Sequence, residues 1–153
     1  MKIVNKKARY EFDIKDEYVC GIKLYGSEVK SIMEKNISFA DSFVKIDDGQ
    51  VYMTGVHVGR YEPSSHDNHE EKRDRLLLLN RREIMNIEKA VEAKGFSIVP
   101  MEIFTKGSLI KVRIGVGKGK RTVDKRNTIK VDRDWETLCF HCFFNIHYFS
   151  SIQ

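Results

Sequence analysis

Apolar residues recur at every second position along much of this chain, and short glycine-bearing turns cut the recurrence into strand-length pieces. That pattern restricts the fold most, because a period of two puts one face of a strand against a core and the other in solvent. Tyr10, Phe12 and Ile14 share one such face, and Cys20, Ile22 and Leu24 share another. Val44 and Ile46 run into Asp47-Asp48-Gly49-Gln50, where glycine accepts a positive φ. Val51 and Met53 then begin the return strand of a predicted hairpin. A further pairing joins Val99, Met101 and Ile103 to Ile110, Val112 and Ile114 through Lys106-Gly107-Ser108. In its return strand Lys111 and Arg113 lie on the face opposite Ile110, Val112 and Ile114, so one side serves the core and the other presents cations.

Two helices are expected among the strands. Ser27 to Lys35 spaces Val29, Ile32 and Met33 as a short amphipathic stripe. Asn80, with Glu83 three residues on, has the form of a capping box. Ile84, Ile87 and Val91 then line one face, and Gly95 after Lys94 supplies the stop. Both stripes read as core. Between Gly59 and Arg75 the pattern dissolves into a long polar loop, Pro63 to Arg73. Many short strands with embedded short helices predict a mainly β fold, an antiparallel OB-like barrel rather than a βαβ sheet. A chain of 153 residues, 41% of them hydrophobic, can bury one core without staples. The expected division is a barrel over residues 1–117 and a C-terminal tail over 118–153.

The formal net charge of +5 favours a polyanionic partner, but 22 acidic residues dilute it, so the cations must cluster to matter. They do so from Gly115 to Lys130. A strand-like run ends there in glycines, and a dense basic segment with room to follow a phosphate chain begins, which reads as an RNA-binding tail. Met1 to Lys7 holds no apolar leader, and no segment approaches the roughly 20 apolar residues of a membrane span. A cytoplasmic protein with no membrane partner is expected. The three cysteines are an odd number and imply no disulfide framework.

Signals for chemistry are sparse. Cys139, His141 and Cys142 with His147 resemble metal ligands, but they form one short cluster where zinc usually takes two paired sites. His66 and His69 read as residues of a solvated loop, and His57 as a hydrogen-bonded structural histidine. Asp47 and Asp48 are turn residues before they are an acid–base pair. No phosphate-binding glycine loop and no Gly-Gly-Gln signature occur. No cofactor, metal or enzymatic activity is therefore expected. Among the aromatics, Tyr25 and Tyr61 stand beside turn or loop residues and are the candidates for stacking on bases.

Four signatures occur in order: Asn5-Lys6-Lys7-Ala8-Arg9, Gly21 to Ser31, Leu77 to Ile84, and Gly117-Lys118-Gly119-Lys120-Arg121 with Asp124-Lys125-Arg126. Over roughly Asn5 to Lys130 the chain resembles the SmpB family, partners of transfer-messenger RNA. The resemblance implies an OB-type barrel with a basic tail. Its partners would be the tRNA-like domain of that RNA and the stalled ribosome, whose decoding site and messenger channel the tail enters during trans-translation. Carried over by position, Leu78 and Lys111 match the family's RNA-binding surface, and Arg113 joins Lys111 as an outward cation. For Leu78 a core role stands open beside the RNA role, since period two sets Leu76 and Leu78 opposite Leu77 and Leu79. Lys118, Lys120, Arg121, Lys125, Arg126 and Lys130 match the basic part of the tail. Two features depart from the family. Val19 stands where a glutamate is usual, and no Lys or Arg follows Arg133, the chain ending instead in an aromatic stretch. A nuclease using Asp47, Asp48 or the histidine loop, and a general structured-RNA or ribosome-binding protein, are the rival readings.

Overall fold

Residues 1–61, 69–92 and 95–120 are described by a computed structural model. They form β1 (Lys2–Val4), α1 (Lys6–Glu11), β2 (Phe12–Ile22), α2 (Gly26–Met33), β3 (Ile37–Ser38), β4 (Phe43–Asp47), β5 (Gln50–Thr54), β6 (His57–Val58), β7 (Arg75–Leu78), α3 (Arg81–Glu92), β8 (Phe96–Lys106) and β9 (Leu109–Gly119). The unit they build runs from Met1 to Gly119.

The expected antiparallel barrel is present. Strands neighbour one another in the order β4-β5-β7-β2-β9-β8, and β8 returns to β4 through the pair Val44↔Ile98. β1 flanks β8 on the outside, and β3 pairs with β6 as a separate two-stranded ribbon. The length of β8 makes closure possible, since it holds β9 along its run while meeting β4 at Ile98 and β1 at Glu102–Phe104. Alternating side chains from the strands fill the interior, among them Val51, Met53, Ile98, Ile103, Val112 and Ile114, with Ile32 and Ile87 contributed by helices.

Both predicted hairpins form. Asp47 pairs with Gln50 across Asp48 (φ 49°) and Gly49 (φ 68°), two consecutive positive-φ residues that match the twist of the strands they join. Lys106 pairs with Leu109 across Gly107 (φ 63°).

Tyr10 lies in α1 rather than in a strand. The Asn5 side chain accepts from Ala8 N–H at 3.2 Å, capping a helix that the alternation of Tyr10 with Phe12 and Ile14 conceals. Strand geometry begins only at Phe12, and Leu24 lies beyond the end of β2.

The helical stripes hold in part: Ile32, Ile84 and Ile87 face the core as expected, and Val29, Met33 and Val91 do not. In α2 it is Glu28, Ser31 and Ile32 that are buried, while Val29 and Met33 are exposed. In α3 Asn80 N–H donates to Glu83 Oε2 at 2.9 Å, as the capping pattern implies. Ile87 is fully buried and Ile84 and Ala90 pack on the core, but Val91 is exposed.

Rotation of α2 follows from an ion cluster. Glu28 is fully buried and accepts from Arg75 Nε at 2.8 Å, from Arg73 Nε at 2.9 Å and from Tyr25 N–H at 2.7 Å. Arg75, also fully buried, spends its remaining donors on the Val56 and Glu71 carbonyls. A buried charge is tolerated only when paired and hydrogen-bonded, and here each partner supplies both.

The described end of the loop, from His69 onward, holds a buried histidine where composition suggested solvated residues. His69 is buried, its ring nitrogens 3.0 Å from Ser27 Oγ and 3.1 Å from the Val58 carbonyl oxygen. His57 Nε2 stands 3.0 Å from Glu71 Oε2, in keeping with a structural histidine. His66 lies outside the described residues.

The glycine run does not end β9. The strand continues through Gly115 and Gly117 to Gly119. A Cβ on Gly117 would stand 2.5 Å from the Asp13 carbonyl oxygen, so this glycine lets β2 and β9 approach closely. Lys118 is accordingly a strand residue, paired with Asp13 and Phe96, and not part of a segment beyond the barrel.

Candidate nucleic-acid interface

Register across β7, β2, β9 and β8 assembles the outer face from residues far apart in sequence. Leu78 pairs with Gly21, Gly21 with Lys111, and Lys111 with Phe104. Directly opposed residues in antiparallel strands share a face, so these four form one row. A second row, two residues along, places Val19 beside Arg113 and Arg113 beside Glu102.

Leu78 is 56% exposed whereas its neighbour Leu77 is 3% exposed. The core alternative for Leu78 is thereby removed, because the alternation holds and its buried member is Leu77. The Leu78 side chain reaches to 3.4 Å from the place where a Gly21 Cβ would stand. It lies over Gly21 of β2, so the row sets an exposed apolar side chain and the Lys111 ammonium on either side of a residue without a side chain.

The two outward cations differ in what holds them. Arg113 Nη1 is 3.2 Å from Glu17 Oε2, its Nε is 3.3 Å from Glu102 Oε1, and its guanidinium lies 5.8 Å from the centre of the Phe104 ring. Glu102 is also claimed by Lys2 at 2.9 Å. Lys111 makes no ion pair among the described residues. The Lys111 ammonium is therefore available to a phosphate, and the Arg113 guanidinium is committed to carboxylates of its own chain.

Val19 is 47% exposed and adds a second exposed apolar side chain to this face, from β2. Behind the same strand Cys20 is buried and its Sγ–H donates to the Val112 carbonyl oxygen at 3.2 Å. Burial pushes that thiol up to about 12, which leaves no thiolate for chemistry at neutral pH.

Of the stacking candidates, Tyr25 is exposed with the Arg73 guanidinium 4.2 Å from its ring centre, and Lys30 lies 5.0 Å from that of Tyr61. Neither tyrosine belongs to the two rows. The sequence reading missed Glu17, Glu102 and Phe104 as neighbours of the cations; the charged and aromatic types were visible, but the register that joins them was not. Among the described residues no three His, Cys, Asp or Glu side chains converge as a metal site, and no helix is long and apolar enough to cross a membrane. Lys120 follows the end of β9, and Arg121, Lys125, Arg126, Lys130, Cys139, His141, Cys142 and His147 lie outside the described residues.

Comparison with known proteins meets this geometry. Residues 2–139 match the SmpB protein family. An SsrA-binding protein of Treponema denticola is 44% identical over 130 residues, which span 85% of this chain and 84% of the relative. Another, from Bacillus velezensis, is 41% identical over 126 residues, covering 82% of this chain and 81% of its own. A solved chain from "tmRNA-SmpB: a journey to the center of the bacterial ribosome" superposes with a TM-score of 0.67 at 33% identity. That alignment takes in 84% of this chain and 94% of the other.

Proposed function

Since the chain belongs to the SmpB protein family, we propose that it binds transfer-messenger RNA and carries it to stalled ribosomes for rescue by trans-translation. The observation that carries the assignment of its RNA surface is the row Leu78–Gly21–Lys111, an exposed leucine and an unpaired ammonium joined across a side-chain-free strand residue.

Each member has a role in recognition. Lys111 pairs with a backbone phosphate of the tRNA-like domain, and Leu78 with Val19 packs against a sugar or an unstacked base. Arg113, tied to Glu17 and Glu102, keeps β9 aligned beside Lys111 more than it contacts phosphate itself. Where the family usually has a glutamate, Val19 offers van der Waals contact and no acceptor. The division into barrel and tail is proposed on the same footing. Lys118 and Lys120 at the end of β9, with Arg121, Lys125, Arg126 and Lys130, track phosphate in the ribosomal decoding site and messenger channel. Function of this kind is recognition without catalysis, in the cytoplasm.

Equilibrium binding to the tRNA-like domain of transfer-messenger RNA, with elongator tRNA as competitor across a salt series, tests the reading. Selective binding that falls steeply with salt is the expected result. Binding that elongator tRNA competes away equally would make the chain a general structured-RNA binder instead.

A further inference from the structure

On the opposite side of the barrel, β4 and β8 diverge after a single shared pair, Val44↔Ile98. β5 pairs with β4 along all five of its residues, so β4 has an edge that, beyond Val44, lacks a strand partner. Beside that edge, and closed on its other side by the C-terminal half of α3, lies a groove of about 720 Å³. Phe43 and Val91, 48% and 37% exposed, give it apolar walls, with Phe96 between them.

The charges around it run against the rest of the molecule. Asp48, Glu88 and Glu92 line the groove, and none of the three has an ion-pair partner among the described residues. The one lining lysine, Lys45, is taken by Asp74 at 2.6 Å. The Lys15 ammonium stands 5.5 Å from the centre of the Phe96 ring. Even so, on a chain of net charge +5, three carboxylates with no ion-pair partner among the described residues favour a cationic ligand here over phosphate.

We propose that this groove docks an extended basic peptide segment of a protein partner. Lysine or arginine side chains of the segment meet Glu88, Glu92 and Asp48, an aliphatic side chain covers Phe43 and Val91, and the open β4 edge supplies main-chain partners. The site is independent of the RNA face, and it gives the protein one surface for nucleic acid and another, of opposite sign, for protein.

The probe is a fluorescein-labelled seven-residue peptide alternating lysine or arginine with leucine or valine, titrated into the full chain. Its counterparts carry glutamate for the basic residues or serine for the apolar ones. Saturable binding that shifts the amide resonances of Phe43, Val91 and Phe96 is expected, weakened about tenfold or more by Glu88→Lys with Glu92→Lys and by either peptide replacement. Both glutamates sit away from the core, and unchanged affinity of the same variant for the tRNA-like RNA shows that it is folded. Four results would overturn the proposal: no binding up to about millimolar peptide, equal binding by the charge-reversed variant, resonance shifts confined to another surface, or self-association of the chain through these same residues.

Discussion

Gly21 separates the two groups that define the outer face, and the Leu78 side chain lies over it. A Cβ there would meet Leu78 at 3.4 Å, an ordinary contact, so Gly21→Ala should fold with a melting temperature within a few degrees of the wild type. It should nonetheless put a methyl group between Leu78 and Lys111 on the recognition face and lower RNA affinity several-fold. Thermal melting and RNA titration of the one variant check both halves, and a large loss of stability would show that Gly21 serves the fold instead. Lys111→Ala should flatten the plot of log affinity against log salt by about one phosphate contact. Arg113→Ala should leave that slope nearly unchanged and lower stability modestly, because Glu102, only 2% exposed, would keep Lys2 but lose its second cationic partner. A slope change for Arg113 equal to that for Lys111 would mean that its ion pairs yield to phosphate. Period two placed both cations outward and left two readings for Leu78. The carboxylates that distinguish Arg113 from Lys111 come from β2 and β8, and cross-strand register is not written in the spacing of one strand.

Among the elements, α2 shows what local pattern leaves out. Its apolar spacing pointed to Val29, Ile32 and Met33, yet beside Ile32 the buried face carries Glu28, whose guanidinium partners lie 45 and 47 residues further along the chain. Helical periodicity reports apolar residues and is blind to a charge neutralised from afar. Tyr10 failed for a related reason: the cap at Asn5 outranks a chance alternation. The hairpins succeeded because turn residues and strand period agree locally. Glu28→Gln should cost about 3–5 kcal/mol, the loss expected when a buried pair loses one charge. Burial acts to raise the Glu28 pKa, but the hydrogen bonds from Arg73 and Tyr25 N–H, with the charges of Arg75 and Arg73, outweigh it and hold the carboxyl below its ordinary 4.5. A depressed folded-state pKa gives stability that is fully present above 4.5 and is lost as pH falls through the lower folded value. Denaturant midpoints of wild type and Glu28→Gln should therefore differ at neutral pH and converge in acid; a constant gap down to the acid limit would place the cause elsewhere. Gly117→Ala tests the closure of β2 on β9. Its Cβ would meet backbone, which cannot swing aside, so a loss of about 1–3 kcal/mol is expected in the same denaturant assay.

Across the whole molecule, charge is sorted by task. The outer face of β7, β2 and β9 offers an exposed apolar row and, among the described residues, Lys111 as its cation without an ion pair. The sequence past β9 carries a dense basic run from Lys120 to Arg133. Composition revealed the excess of +5 and its clustering, but the glycines that seemed to release a flexible segment instead carry β9 onward to Gly119. The cations past the barrel thus begin with Lys120. Replacing Lys120, Arg121, Lys125 and Arg126 together by alanine should leave binding to the tRNA-like domain within about twofold, since the two cross-strand rows are built from β7, β2, β9 and β8. The same variant should engage stalled ribosomes poorly and lose most of the salt dependence of that step, because each neutralised phosphate there releases counterions. Lys111→Ala should show the converse, weak RNA binding with ribosome engagement restored once RNA is supplied in excess. Both variants need to be measured in both assays. If each fell equally in each, recognition and engagement would be one continuous basic surface, and the division between barrel face and tail would not exist.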